Sequence, residues 1–111
     1  MRWKMEHDPG VHNPKCIDLI TETPQGDVVL VMVEQRPWDG SDERLMQLQD
    51  KVNSYLAFAL DGPMASQYPE TKSKRVLLRL DCLHEPDITA IQIIETIREQ
   101  IKPIPIEIRV R

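Results

Sequence analysis

Residues 28–62 read VVLVMVEQRPWDGSDERLMQLQDKVNSYLAFALDG, and this stretch decides the fold. Its first six residues are all apolar, which is typical of a strand covered on both faces of a sheet. Ser41 is a favourable N-cap residue, and the apolar residues after it recur on one face of a helix. Gly62 and Pro63 are typical of a helix end. The stretch therefore predicts a strand, a short loop and a helix over residues 41–61.

The segments on either side of this stretch also contain apolar residues at regular spacing, and turn residues mark where each pattern ends. Strands are predicted over residues 15–21, 27–34, 75–83 and 105–111, and a second helix between Asp87 and Pro103. Pro24 and Gly26 suit the turn that joins the first two strands into a hairpin. Residues 63–74 are polar and are expected to form a loop. Pro105 lacks an N–H, so the last strand is expected to begin there or to lie at a sheet edge.

The order β-β-α-β-α-β predicts an α+β protein. We expect a two-layer sandwich in which two helices cover a four-stranded mixed sheet, forming one domain over residues 1–111 with an irregular lead-in at residues 1–14. We also expect right-handed crossovers to place both helices on one sheet face only if the strand order reverses between them. The strand order itself is left open.

Composition and charge exclude several classes of partner. Of the 111 residues, 41% are apolar and 29% are charged, as in ordinary soluble domains. The net charge is −4 with acidic and basic residues interleaved, which argues against a nucleic-acid partner. No stretch approaches the ~18 consecutive apolar residues of a membrane span. Because the first residues also lack the apolar segment of a signal peptide, we predict a cytoplasmic protein without a membrane partner.

The residues that could carry chemistry do not form a motif. No GxGxxG, GxxxxGK[ST], GxSxG or HExxH pattern occurs. The spacing of four candidate ligands matches no metal site: His7, Asp8, His12 and His84. Cys16 and Cys82 are interpreted as small buried apolar residues within strands, with a disulfide possible only if those strands are neighbours. Lys51, Asn53 and Tyr55 are not expected to share one helix face. We therefore predict no catalytic residue, metal or cofactor, and the sequence favours a protein that is not an enzyme.

The loop between the central strand and the long helix is a candidate ligand-binding loop. It contains Arg36, Trp38 and Asp39, and an arginine beside a tryptophan can form a recognition site with a stacked cation. The alternative is that Trp38 seals the start of the helix onto the sheet. A small ligand-binding protein or enzyme that uses this loop is the alternative function.

The sequence has more apolar residues on its predicted surfaces than one hydrophobic core can bury, and this excess predicts an interface. The candidates lie on the second face of the sheet and at the end of the long helix; they are Val29, Val31, Val33, Leu77, Ala57, Phe58 and Leu60. Burying three or four such side chains contributes on the order of 5–10 kcal/mol before the costs of association. We therefore predict a non-enzymatic interaction or regulatory module that binds a second copy of itself or another protein. The alternative is that the lead-in, with Trp3 and Val11, covers the same surface.

Three segments carry a resemblance to a known family. HDPGVHNPKCIDLIT, the stretch at residues 28–62, and QYPE followed by VLLRLDC are similar to small bacterial proteins classed as a domain of unknown function. The resemblance covers residues 7–83, and PWDGS and KVNSYLAFALDG are its most specific parts. It implies a bacterial, cytoplasmic, single-domain protein, and it transfers no catalytic residue, substrate or cofactor.

Overall fold

A computed structural model describes residues 9–111 of the chain. Over these residues the fold is α+β, with a four-stranded mixed sheet and three helices, two of them long. In chain order the elements are β1 (Leu19–Glu22), β2 (Val28–Glu34), α1 (Asp42–Leu60), α2 (Pro63–Gln67), β3 (Val76–Cys82), α3 (Ile88–Gln100) and β4 (Ile106–Val110), with a single 3-10 turn at Pro69–Thr71 between α2 and β3.

The strands lie in the order β1-β2-β3-β4. β1 pairs with β2 antiparallel, as the predicted hairpin requires, while β2–β3 and β3–β4 are parallel. The expectation that the strand order must reverse for the helices to share a face was wrong. Both crossovers advance in the same direction along the sheet, and α1 and α3 pack on the same face. Crossovers of one hand place successive helices on one side as long as the chain keeps moving in one direction; a reversal moves the next helix to the other side.

The even-numbered strand residues face the two long helices because side chains alternate along a strand. Leu30, Met32 and Leu78 are fully buried there against Val52 and Ile97, one from each helix. The opposite face carries a smaller buried cluster formed by the odd-numbered residues Val29, Val31 and Leu77. The central strand β2 is therefore covered on both faces, as its six consecutive apolar residues predict.

The segment at residues 63–74 differs from the predicted polar loop. It contains α2 and the 3-10 turn, so the element order is not the predicted one. Pro63 ends α1, but its fixed φ and missing N–H also suit the first turn of a new helix. Met64 and Thr71 are buried and anchor the segment on the domain, which a count of polar residues does not reveal.

The first strand is also shorter than predicted. β1 begins at Leu19 and not at residue 15. Cys16, Ile17 and Asp18 are buried in the loop before it, because the carboxylate of Asp18 binds backbone N–H groups of Gly10 and Val33 instead of leaving the chain extended.

The ends of the long helices follow the sequence. Ser41 caps α1, with its Oγ accepting from the N–H of Arg44 at 3.2 Å, and Asp87 caps α3, with Oδ1 accepting from the N–H of Ala90 at 2.8 Å. Gly62, just after α1, has a φ of +114°, which only glycine adopts without strain. These three residues fix where α1 begins, where it ends and where α3 begins.

Replacing Ser41 should destabilise the protein through the start of α1. Ser41→Ala removes the acceptor of the Arg44 N–H and should lower the free energy of unfolding by about 1 kcal/mol. Ser41→Asp keeps an acceptor and should lose much less. Urea denaturation followed by circular dichroism measures both, with the exposed Ser66→Ala as the control. Equal losses for the alanine and aspartate variants would contradict a capping role.

Candidate functional site

A buried ion pair lies between the loop before β1 and the middle of α1. Lys51 Nζ donates to Asp18 Oδ1 at 2.8 Å, and both side chains are 0% exposed. The same ammonium donates to the carbonyl oxygens of Asn13 at 2.6 Å and Cys16 at 2.7 Å. An ammonium has three N–H donors, so this one is fully used. Lys51 therefore has no donor left for a ligand.

Asp18 and Tyr55 complete this cluster. The carboxylate of Asp18 accepts from the N–H of Gly10 at 2.9 Å and from the N–H of Val33 at 2.8 Å. The hydroxyl of Tyr55 donates to the carbonyl of Val31 at 2.6 Å and accepts from the N–H of Asp18 at 2.7 Å. Burial, and then the charge of Asp18, raise the pKa of Tyr55 far above its ordinary value. The phenol therefore stays protonated and is a hydrogen-bonding group, not a base.

Sequence reasoning missed this cluster. Asn53 is exposed, so the three polar residues of α1 do not share one face, as expected. Lys51 and Tyr55, however, lie one turn apart and point into the core together. The available signal was that Lys51 lies in phase with the apolar stripe at Leu48, three residues before it. A charged residue at a core position of a helix predicts a buried partner, and Asp18 interrupts an apolar run in the same way.

A second charged cluster closes the carboxyl end of β2. The side chain of Glu34 is 2% exposed and accepts from Arg36 Nε at 3.1 Å and Nη2 at 2.7 Å. Arg44 Nη1 lies 3.4 Å from the same carboxylate and donates to the carbonyl of Pro37 at 2.7 Å. Arg36 Nη2 also donates to Gln47 at 3.0 Å. This charge cluster holds the loop onto the start of α1.

The predicted ligand loop is built around that cluster. Trp38 is half-buried against the main core, and the guanidinium carbon of Arg44 lies 6.0 Å from its ring centre. The indole nitrogen is buried and interacts with the thiol of Cys82. Asp39 is exposed and accepts from the N–H of Ser41 at 3.0 Å, a hydrogen bond that lowers the pKa of the Asp39 carboxyl. Arg36 and Trp38 are thus engaged by the domain itself, and Asp39 keeps most of its surface in solvent.

The two cysteines do not form a disulfide, and their surroundings differ. Cys16 is buried in the loop before β1, so its assignment to a strand was wrong. Cys82 is the last residue of β3, as predicted for a strand, and is half-buried. Burial raises the pKa of the Cys82 thiol to about 11. A thiol with so high a pKa is a poor nucleophile at neutral pH.

Within residues 9–111, no three side chains of His, Cys, Asp or Glu come together as a metal site requires. His84 is exposed after β3, and His12 is half-buried in the loop before β1. His7 and Asp8, and the Trp3 of the lead-in, lie outside the described residues.

The predicted interface residues divide into two groups. Val29, Val31 and Leu77 are buried within the single chain, so they offer a partner almost no area. Val33 is half-buried beside them. At the end of α1, Ala57 is exposed, Phe58 is buried and Leu60 is 50% exposed. Ala57 and Phe58 line an open groove of about 460 Å³ together with Pro14 and Lys15 of the loop before β1.

A second group of exposed apolar side chains lies along α3 and β4. Ile88 is 72% exposed, Ile91 48% and Val110 38%. Ile91 and Val110 line one cavity of about 260 Å³, and Ile88 lies one turn before Ile91 on the same helix face. We call these three side chains, with the outer edge of β4, the α3–β4 surface. Ile88 and Ile91 lie on the same apolar helix face as the buried Ile94 and Ile97, and this periodicity gives no measure of how far the sheet extends beneath the helix.

The described residues therefore have an α+β fold with two internally satisfied charge clusters and an exposed apolar edge. The chain belongs to a family of unknown function, DUF6572, which matches residues 10–111. Comparison with curated proteins and with solved structures gave no match. Among residues 9–111, no helix has the length and apolar character needed to cross a membrane.

The Asp18–Lys51 pair can be tested through stability. Lys51→Met leaves a buried carboxylate without its counter-ion and should lower the free energy of unfolding by about 3–5 kcal/mol. The double variant Asp18→Asn with Lys51→Met should lose less than the sum of the two single variants, because neither charge is then left alone. Urea denaturation measures all three, and the exposed Lys72→Met is the control. A loss below about 1 kcal/mol for Lys51→Met would contradict the burial of the pair.

The raised pKa of Cys82 predicts slow alkylation. In a Cys16→Ala variant, where Cys82 is the one remaining cysteine, iodoacetamide at pH 8 should react about 100-fold more slowly with the folded than with the urea-unfolded chain. The ratio should shrink as the pH rises towards 11, because the folded thiol then ionises too. Mass spectrometry measures the rate of alkylation. Equal rates for the folded and unfolded chains at pH 8 would instead show an accessible thiolate.

Proposed function

We propose that this protein is a non-enzymatic interaction module that acts as a homodimer. The observation that supports the proposal is the α3–β4 surface, where three exposed apolar side chains lie beside the β4 edge of the sheet. Contiguous apolar surface of this kind commonly marks a protein-binding site. The other interface candidates that keep accessible area, Val33, Ala57 and Leu60, are proposed as secondary contacts.

The chemistry of the described residues supports an interaction role over a catalytic one. The ammonium of Lys51 and the carboxylates of Asp18 and Glu34 are buried and engaged by partners within the chain. Catalytic acids, bases and nucleophiles need a proton or a lone pair that is available to a substrate in a cavity. The charged groups that are free to meet a ligand lie on the surface, where they suit recognition between proteins.

The setting of the protein belongs to the same proposal. A bacterial, cytoplasmic protein with a regulatory role fits the resemblance and the balanced composition. The acidic net charge of −4 fits a protein partner better than a nucleic acid, since phosphate binding needs concentrated basic residues.

The alternative, a ligand site at Arg36, Trp38 and Asp39, has less support. The guanidinium of Arg36 is held by Glu34 in a two-bond contact, and Trp38 packs on the core. A ligand at this loop would have to compete with these contacts for both side chains.

Self-association measured by sedimentation velocity tests the proposed function. The native chain should form a dimer with a dissociation constant in the micromolar range, as is common for small interfaces. Ile88→Gln with Ile91→Gln should weaken the dimer about tenfold or more, because both side chains are exposed and lose apolar contact area. Met46→Gln, at an apolar position of α1 whose 65% exposure lies between those of Ile88 and Ile91, is the matched control and should have no effect.

Leu60→Gln separates the two surfaces. If it weakens the dimer while the double α3 variant does not, the interface lies at the end of α1, where the sequence predicts it. A chain that remains monomeric up to about 300 µM would overturn the homodimer.

A further inference from the structure

Among residues 9–111, β4 is the last strand of the sheet, and no strand of this part of the chain pairs with its outer edge. Arg111, just beyond it, bonds to β3 with both its N–H and its C=O, at 2.8 and 2.9 Å. In a parallel pair such residues alternate along the strand, so Glu107 and Arg109 also bond inward. The N–H and C=O groups of the residues between them, Ile108 and Val110, therefore point outward from the sheet.

An open groove of about 660 Å³ runs along this outer edge. Its walls are β4, Arg98 near the end of α3 and the segment that follows this helix, in which Ile104 contributes a half-buried apolar side chain. The guanidinium of Arg98 donates to the carbonyl of Ile108 at 3.0 and 3.2 Å. Because Arg98 makes both of these hydrogen bonds, its side chain has to turn away from the edge before the carbonyl of Ile108 can accept from an added strand.

The charged residues of β4 favour one register for pairing with the β4 strand of a second copy. Glu107 and Arg109 are exposed on the sheet face opposite the helices. In an antiparallel pair with Ile108 opposite Ile108 of a second copy, each Glu107 faces an Arg109. A shift by one step in either direction brings Glu107 opposite Glu107, or Arg109 opposite Arg109, and like charges directly across a sheet repel. The favourable register is also the one that overlaps the whole of Ile106–Val110.

The same register suits the helical layer. α3 lies over β3 and β4. Arg98 donates to the carbonyl of Ile108 in β4, and Ile97 lines a small cavity together with Leu80 of β3. Two copies joined along β4 keep their helices on one face, and their α3 helices then lie about two strand spacings, roughly 10 Å, apart. That is the usual distance between packed helices. Ile91, on the flank of α3 beside Val110, then meets the second copy.

We propose that two copies of this chain join β4 to β4 antiparallel, with Ile108 at the two-fold axis, into one eight-stranded sheet. This inference rests on the proposed function, since it names the surface and the register of the homodimer. The occupant of the groove is the β4 strand of a second copy, and the paired charges of Glu107 and Arg109 select it.

Charge reversal tests the pairing. Arg109→Glu places like charges opposite each other at both ends of the contact and should raise the dissociation constant about tenfold or more. The swap Glu107→Arg with Arg109→Glu restores opposite charges across the axis and should return the constant to within about threefold of the native value. Both positions are about half exposed, so folding should be kept. Lys72→Glu changes the net charge equally at an exposed loop position and is the matched control.

Cross-linking tests the register. In the proposed pair the Cα atoms of residues 107 and 109 of the two copies lie about 4.5 Å apart, within reach of a disulfide. The same residue in both copies is about 8 Å apart, which is too far. Glu107→Cys and Arg109→Cys chains, mixed and oxidised, should therefore give the mixed dimer by mass spectrometry, while neither variant alone should cross-link. The native chain, with Cys16 and Cys82, measures the background.

The outcomes separate this inference from the proposed function. A dimer that is weakened by Arg109→Glu, restored by the swap and cross-linked as a mixed pair supports the β4 contact. A dimer that Arg109→Glu leaves unchanged, or one that cross-links as 107 to 107, overturns the inference while the homodimer stands. A strict monomer overturns both.

Discussion

The structure depends on the buried contact between Lys51 and Asp18. It joins three parts of the chain that are distant in sequence: the loop before β1, the middle of α1, and the end of β2 through the N–H of Val33. Tyr55 ties the same loop to Val31. Two charges without water are stable only when every donor and acceptor is used, so the cluster tolerates one arrangement of these segments. That requirement fixes where α1 sits on the sheet.

This arrangement also explains why the apolar excess of β2 does not by itself make an interface. Val29 and Val31 are buried within one chain, in the small cluster that they form with Leu77. The sheet instead leaves apolar surface at its β4 edge, where the helical layer ends and Val110 is exposed. A sheet edge offers backbone groups as well as side chains, which is why an edge is a natural site for self-association.

Much of the local structure could be predicted, and the candidate site could not. Ser41, Asp87 and Gly62 act at helix ends through their own side chain or backbone freedom, so a local pattern reveals them. The cover over Val29 depends on which segments meet in space, and no period in the sequence carries that information. Lys51 could be predicted in part. Its position on the apolar stripe indicates a buried side chain, but the sequence does not show its partner, which lies 33 residues away.

The sequence by itself determined the four strands, the two long helices with their caps, and the central position of β2, because these follow from propensity, periodicity and turn residues within short windows. Tertiary structure alone decided the pairing of Asp18 with Lys51, the burial of the second face, the helical turns at residues 63–71 and the exposed α3–β4 surface. The reason is that burial and ionic contacts depend on the distance between segments in space, and in this fold the segments that meet are separated by tens of residues.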